Sequence, residues 1–159
     1  MILCLIGTNP YDFTRLVKAV DEIALKLNLQ IIIQTGNTKY KPLNCEYFSF
    51  KAKNDVSTLM QQAELIITQG GYGSMTDAIM LHKKLIGVPR KIEYKESLDN
   101  QTELVEYYES KGYLQACYEI EKLESIVLNT LSGKFVFNKY KREIDIKVGD
   151  IIKDFLNEI

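Results

Sequence analysis

The sequence is poor in the residues from which metal and redox sites are built. It has one histidine, His82, and three cysteines, Cys4, Cys45 and Cys117, far apart along the chain. That spacing makes no zinc cluster. An odd cysteine count without a secretory leader reads as free thiols of a reducing, cytoplasmic compartment. Met1 to Ile6 is apolar but too short for a signal peptide, and it lacks a basic start. Nowhere does the chain offer the ~20 apolar residues of a membrane span. An excess of positive charge is also missing. Lys and Arg number 20 against 21 Asp and Glu, a net charge of −1, which removes the broad basic footprint of a nucleic-acid binder. Repeats, low-complexity tracts and linkers do not occur.

What remains is an ordinary globular composition, 46% hydrophobic and 26% charged over 159 residues, fit for one domain with a substantial core. Apolar runs and amphipathic stretches alternate. Strands are expected at 1–6, 30–34, 45–50, 64–68, 85–88 and 114–117. Helices are expected at 13–27, 55–63, 74–82, 98–111, 119–131 and about 145–158. The first strand is continuously apolar, as in a parallel strand covered on both faces. The fold class is therefore α/β, a Rossmann-like parallel sheet with helices on both faces. Its ligand crevice belongs at the carboxyl ends of the strands.

Thr68-Gln69-Gly70-Gly71-Tyr72-Gly73-Ser74-Met75-Thr76-Asp77-Ala78 dominates that edge: a strand, a glycine-rich turn and a helix N-terminus. Glycines let backbone approach a ligand, and free helix N–H groups suit a phosphate. A dinucleotide fingerprint would follow the first strand, and a P-loop would need Gly-Lys-Ser/Thr, so NAD and ATP patterns do not fit. A structural reading also stands, with Ser74-x-x-Asp77 as a capping box. Gly7-Thr8-Asn9 carries the same pair of readings: a second phosphate contact, or a cap by Thr8 or Asn9 with Pro10 at the helix start. Asp99-Asn100-Gln101 suits sugar hydroxyls or helix capping. Arg90 either faces an anion or is a solvated loop charge. Lys134, Phe135, Phe137, Lys139, Tyr140, Lys141 and Arg142 read as a solvated face, with a lipid or acidic-partner contact the lesser reading.

In this order, Gly7-Thr8, Gln34-Thr35-Gly36, Ala63 to Ser74, Lys84-Leu85-Ile86-Gly87-Val88-Pro89-Arg90 and Asp99 to Leu104 resemble the carboxyl-terminal domain of GT-B glycosyltransferases of family 28. The stand-alone version is most similar, such as PssE-type exopolysaccharide subunits and the donor-binding subunit of the dolichol-linked N-acetylglucosaminyltransferase. The resemblance covers residues 1 to about 115. It implies a single UDP-sugar-binding domain over 1–159, in which the apolar stripe of Ile144, Val148, Ile151, Ile152, Phe155, Leu156 and Ile159 separately reads as an amphipathic helix over 143–159. It implies diphosphate contacts at Gly7, Thr8, Asn9, Gly71, Tyr72, Gly73 and Ser74. Asp77 stands where the family's ribose-holding Glu does, and Asp99-Asn100-Gln101 stands for its sugar-contacting Asp-His-Gln. Thr68-Gln69-Gly70-Gly71 replaces Ser-His-Ala-Gly.

The implied function is the donor-binding subunit of a two-component inverting hexosyltransferase in bacterial polysaccharide or lipid-linked glycan synthesis. The expected partner is a membrane-anchored, acceptor-binding subunit like the amino-terminal GT-B half. That partner recruits this cytoplasmic chain to the membrane and supplies the general base. No metal or cofactor is expected, and no Asp-x-Asp lies in a suitable loop. His82 is expected to be structural. The alternatives are a non-catalytic nucleotide-binding accessory module and a self-sufficient nucleotide-sugar epimerase or hydrolase.

Overall fold

A computed structural model describes residues 1–140. The expected helix at 143–159, with Lys141 and Arg142 of the basic run, lies outside the described residues.

Six strands form one parallel sheet: β1 (Ile2–Leu5), β2 (Ile31–Gln34), β3 (Glu46–Phe48), β4 (Leu65–Gln69), β5 (Lys84–Val88) and β6 (Gln115–Ala116), in the order β3-β2-β1-β4-β5-β6. The central pair is in register from Ile2 opposite Leu65 to Leu5 opposite Thr68. β1 and β4 are buried along their whole length, which is why they read as unbroken apolar runs. The outer strands are short, three residues in β3 and two in β6, which leaves little free edge for unwanted pairing.

Five helices cover the sheet: α1 (Thr14–Leu27), α2 (Lys53–Gln62), α3 (Tyr72–Met80), α4 (Thr102–Ser110) and α5 (Leu123–Leu131). Alternate strand residues point to opposite layers. Cys4, Ile33, Ile67 and Ile86 pack with Leu16, Val17 and Val20 of α1 and with Leu123 and Val127 of α5. Leu3, Leu5, Ile66 and Leu85 pack with Met60 of α2, with Met75, Ala78 and Ile79 of α3, and with Val105 of α4. Each fully buried Leu or Ile side chain contributes about 1.5–3 kcal/mol. Asn28 closes α1 with φ 50°, and Gly112 follows α4 with φ 70°, as their residue types suggest.

Helix starts differ from expectation, for identifiable reasons. α2 begins at Lys53, two residues earlier than expected, with Ala52 as its N-cap and no side chain capping it. α4 begins at Thr102, four residues later than expected, because 97–101 form a polar turn. There the Asp99 N–H donates to Ser97 Oγ at 3.3 Å, and Asn100 Oδ1 accepts from the Thr102 N–H at 3.0 Å. Asp and Asn favour such local bonds over helix.

Candidate functional site

β1 and β4 are neighbours, but the chain leaves them in opposite directions, β1 toward β2 and β4 toward β5. Their following loops diverge and open a crevice at the carboxyl edge. A cavity of about 540 Å³ lies there. Gly7, Thr8, Asn9, Gly71, Tyr72, Gly73 and Ser74, all expected at a diphosphate, line it together. Gln34, Gln69, Lys51 and Lys53 line it too, and these four were not singled out from sequence as ligand contacts.

The helix side of the cavity is α3. Its N-cap is Gly71 in extended conformation, and no side chain caps it. Ser74 sits inside the first turn, so the Ser74–Asp77 capping box does not form. The Tyr72, Gly73 and Ser74 N–H groups therefore have no intrahelical acceptor. Only Met75 N–H reaches back, to Gly71 O at 3.5 Å. About half a positive charge is associated with such a helix end. The three glycines divide the labour. A Cβ on Gly70 would lie 2.8 Å from Gln101 Cβ and 2.9 Å from Val105 Cγ2, so Gly70 serves the packing of α4. A Cβ on Gly73 would meet nothing within 4 Å, which leaves the backbone there open to a ligand.

The opposite wall is the turn after β1. Gly7 has φ 69° and Gly36 φ 49°, and a Cβ on Gly36 would come within 3.0 Å of Gly7 O. Only glycine lets these two turns press together. Neither Thr8 nor Asn9 caps α1, which starts at Thr14. Asn9 Oδ1 accepts from the Tyr11 N–H at 2.9 Å. Phe13 is the N-cap, and Asp12 before it accepts from the Thr14 N–H at 3.2 Å and from the Lys39 N–H at 2.9 Å. Burial works to raise the Asp12 carboxyl, but these bonds outweigh it and hold the group below its ordinary range.

Arg90 neither faces an anion nor sits in solvent; it is fully buried. Its Nε–H donates to Gln69 Oε1. Its Nη1 donates to the carbonyls of Tyr11 at 3.0 Å, Asp12 at 3.2 Å and Glu96 at 3.0 Å, and its Nη2 to Ile6 O at 3.1 Å. The guanidinium also lies 4.4 Å from the Phe13 ring centroid. One side chain thus ties together the ends of β1, β4 and β5 and the entry to α1. Burial pulls its pKa down to about 10, opposed by Glu96 and Asp12, so it stays charged at neutral pH. Glu96 in turn forms a two-pronged pair with Arg15, Nε to Oε1 at 2.9 Å and Nη2 to Oε2 at 2.8 Å. Arg15 and Glu96 lie 81 residues apart, and no local pattern announces them.

Asp77 lies on α3, just past the phosphate-facing turn, and is exposed. It lines a neighbouring cavity of about 260 Å³ with Lys53, Val56 and Ser57, and Lys53 and Val56 also line the first cavity. The two cavities thus adjoin through Lys53 and Val56, with the α3 N–H groups beside one and the Asp77 carboxylate beside the other.

Residues 1–155 match the glycosyltransferase family 28 C-terminal domain. The chain belongs to this family. A curated relative, the UDP-N-acetylglucosamine transferase subunit ALG13 of Debaryomyces hansenii, is 25% identical over 134 residues. That match covers 77% of this chain and 62% of the relative's length. The glycosyltransferase of kitacinnamycin shares the fold with TM-score 0.65 and 15% identity, covering 82% of this chain and 34% of that one. The NMR structure of ALG13 does so with TM-score 0.58 and 18% identity, covering 86% and 87%.

Within this family 28 domain the expected sugar-contacting trio stands apart from the cleft. Asp99 and Asn100 are exposed in the turn before α4. Gln101 is buried, and its Oε1 accepts from the Arg90 N–H at 3.3 Å. His82 is exposed with φ 53°, two residues beyond the end of α3, so it is a turn residue and not a packed one. Burial raises all three thiols, Cys45 to about 12 and Cys117 to about 11, so none is a thiolate nucleophile. Among the described residues no helix is long and apolar enough to cross a membrane, and no His/Cys/Asp/Glu cluster could hold a metal ion.

Proposed function

We propose that this family 28 domain is the UDP-sugar donor-binding subunit of a two-component, inverting glycosyltransferase. The single observation carrying this reading is the pair of adjoining cavities that share Lys53 and Val56. Free N–H groups of α3 and the turn after β1 face one cavity, and Asp77 borders the next. The donor's diphosphate fits between Gly7–Asn9 and Gly71–Ser74, and the ribose hydroxyls fit Asp77. An acceptor hydroxyl attacks the anomeric carbon, the bond to UDP breaks, and the proton passes to a general base. Charge grows on the departing diphosphate, where the preorganised N–H donors of α3 stabilise it. The polar side chains lining the diphosphate cavity are amides, hydroxyls and ammonium groups, with no carboxylate to hold a divalent cation. In this reading transfer needs no metal on this subunit.

The base and the acceptor site belong to a partner, a membrane-anchored subunit resembling the amino-terminal GT-B half. It brings this domain to the cytoplasmic face, for polysaccharide or lipid-linked glycan synthesis. The ALG13 relative, named as a transferase subunit, supports that division. Of Asp99, Asn100 and Gln101, only the first two are exposed and open to a sugar, Gln101 being buried with its amide oxygen on the Arg90 N–H. The test is a thermal-shift panel of UDP and UDP-sugars. A ligand at 100 times its Kd adds about 2.7 kcal/mol of stability, and Asp77→Ala abolishes most of that gain. No shift with any uridine nucleotide overturns the reading, as does turnover of a soluble acceptor by this chain alone.

A further inference from the structure

Two glutamines at the floor of the diphosphate cavity stand out, because both are nine-tenths buried and both line it. Gln34 is 7% exposed and Gln69 8%. In each, the amide oxygen is already engaged by a group that can only donate. Gln34 Oε1 accepts from the Gly7 N–H at 3.2 Å. Gln69 Oε1 accepts from the Arg90 Nε–H. A backbone N–H and a guanidinium cannot accept, so neither amide can flip. Both Nε2 groups are thereby turned away from their fixed partners. Neither makes a hydrogen bond among the described residues. Neither is among the sealed, unpartnered polar atoms, which are only Thr68 Oγ1 and Thr130 Oγ1 among those residues. A Cβ on Gly71 would lie 3.1 Å from Gln69 Nε2, and one on Gly7 would overlap it, which sets this amide between the two glycine turns.

We propose that the Gln34 and Gln69 side-chain amides are direct phosphate ligands, donating two fixed N–H2 groups to the donor's diphosphate from below. This rests on the UDP-sugar reading and extends it by naming two further binding residues. Each amide holds an unused donor open to the cavity, and an anionic acceptor placed there gains a charge-assisted hydrogen bond from it. The bridging and terminal oxygens of a diphosphate are acceptors only, so they match a floor that offers donors only. The sequence places Gln69 where the resembled family has His, and a fixed amide donor substitutes for an imidazole N–H without titrating near neutral pH.

The experiment is a titration of the 15N-labelled full chain, following backbone amides together with glutamine side-chain N–H2 pairs. Gln34→Glu and Gln69→Glu assign those pairs by their disappearance. Glu at 69 still accepts from Arg90, so the fold is kept, which an unchanged backbone spectrum checks. UDP and inorganic pyrophosphate are the probes, with uridine as the control lacking phosphate. The expected result is that both probes shift the two N–H2 pairs and the Gly71–Ser74 amides, whereas uridine leaves the pairs in place. Each Glu variant then binds UDP about 10- to 100-fold more weakly. If UDP moves the Gly71–Ser74 amides but not the two side-chain pairs, the glutamine assignment is overturned and the UDP reading stands. If neither UDP nor pyrophosphate moves any resonance, both fall.

Discussion

The Arg90 Nε–H and Gln69 Oε1 are joined across the ends of β5 and β4, and that bond sets which end of the Gln69 amide meets the cavity. The rest of the guanidinium holds four backbone carbonyls, those of Ile6, Tyr11, Asp12 and Glu96. A lysine offers three donors on a flexible stem where arginine offers five in a fixed fork. Arg90→Lys therefore leaves at least two buried acceptors unpaired, each costing about 1–3 kcal/mol. The expected loss is about 2–5 kcal/mol, read as a lowered urea midpoint. An unchanged midpoint shows that water or a neighbouring donor replaces the guanidinium.

The glycines of the β4–α3 turn predict substitutions of opposite sign. Gly70→Ala drives a Cβ against Gln101 and Val105. Overpacking of this kind costs about 1–3 kcal/mol, and here it also pushes α4 off the sheet. Gly73→Ala meets open space inside α3 and gains about 0.5–1 kcal/mol of helix stability. It also places a methyl in the diphosphate cavity, so UDP binding weakens as the fold is strengthened. Paired melting and binding curves on both variants check the signs.

How much of this was legible beforehand follows from the range of the forces involved. The central strands and their parallel pairing were readable because burial on both faces leaves an apolar run in the sequence. The seven residues expected at the diphosphate face one crevice because the loops after β1 and β4 part where the strand order reverses, and both border the gap. Arg90 was readable as a residue but not as a role. Its acceptors come from positions 6, 11, 12, 69 and 96, and no periodicity connects them. Gln34 was visible only as part of a motif, since the N–H that fixes it belongs to Gly7, 27 residues away in the turn after β1. Helix starts were misplaced because backbone geometry, not a Ser or Asp side chain, caps α2 and α3.

Lys51 and Lys53 reach the cavity from the loop between β3 and α2. Lys53 is the first residue of α2, where its charge opposes the helix dipole. Lys53→Glu should stabilise the fold by about 0.3–1 kcal/mol while weakening UDP binding. Lys51→Gln should weaken binding several-fold at low salt. That difference should shrink as ionic strength rises, because exposed charges are screened over about 8 Å at physiological salt. Isothermal titration at two salt concentrations separates these effects. Equal affinities for wild type and Lys53→Glu remove the lysines from the site.

Asp21 makes acid stability testable apart from the ligand. It is fully buried in α1 and clamps the 40–44 loop. Its carboxylate accepts from the Asn44 N–H at 2.7 Å, the Leu43 N–H at 3.0 Å and the Tyr40 hydroxyl at 2.9 Å. Burial works to raise its pKa, and these donors outweigh that and lower it. A carboxylate depressed by folding contributes its stability above the unfolded value, about 3.9, and loses it as pH falls through the folded value below that. Asp12, depressed as well, adds in the same window. The melting temperature of the wild type should therefore hold down to about pH 4 and fall steeply below it. Asp21→Asn should cost about 1.5–3 kcal/mol at pH 7, the worth of hydrogen bonds to a charged group. Its melting temperature should then fall less than that of the wild type between pH 5 and pH 2, roughly the window over which a depressed carboxylate titrates. Parallel pH profiles for the two chains would show instead that the clamp works through the shape of Asp21 and not through its charge.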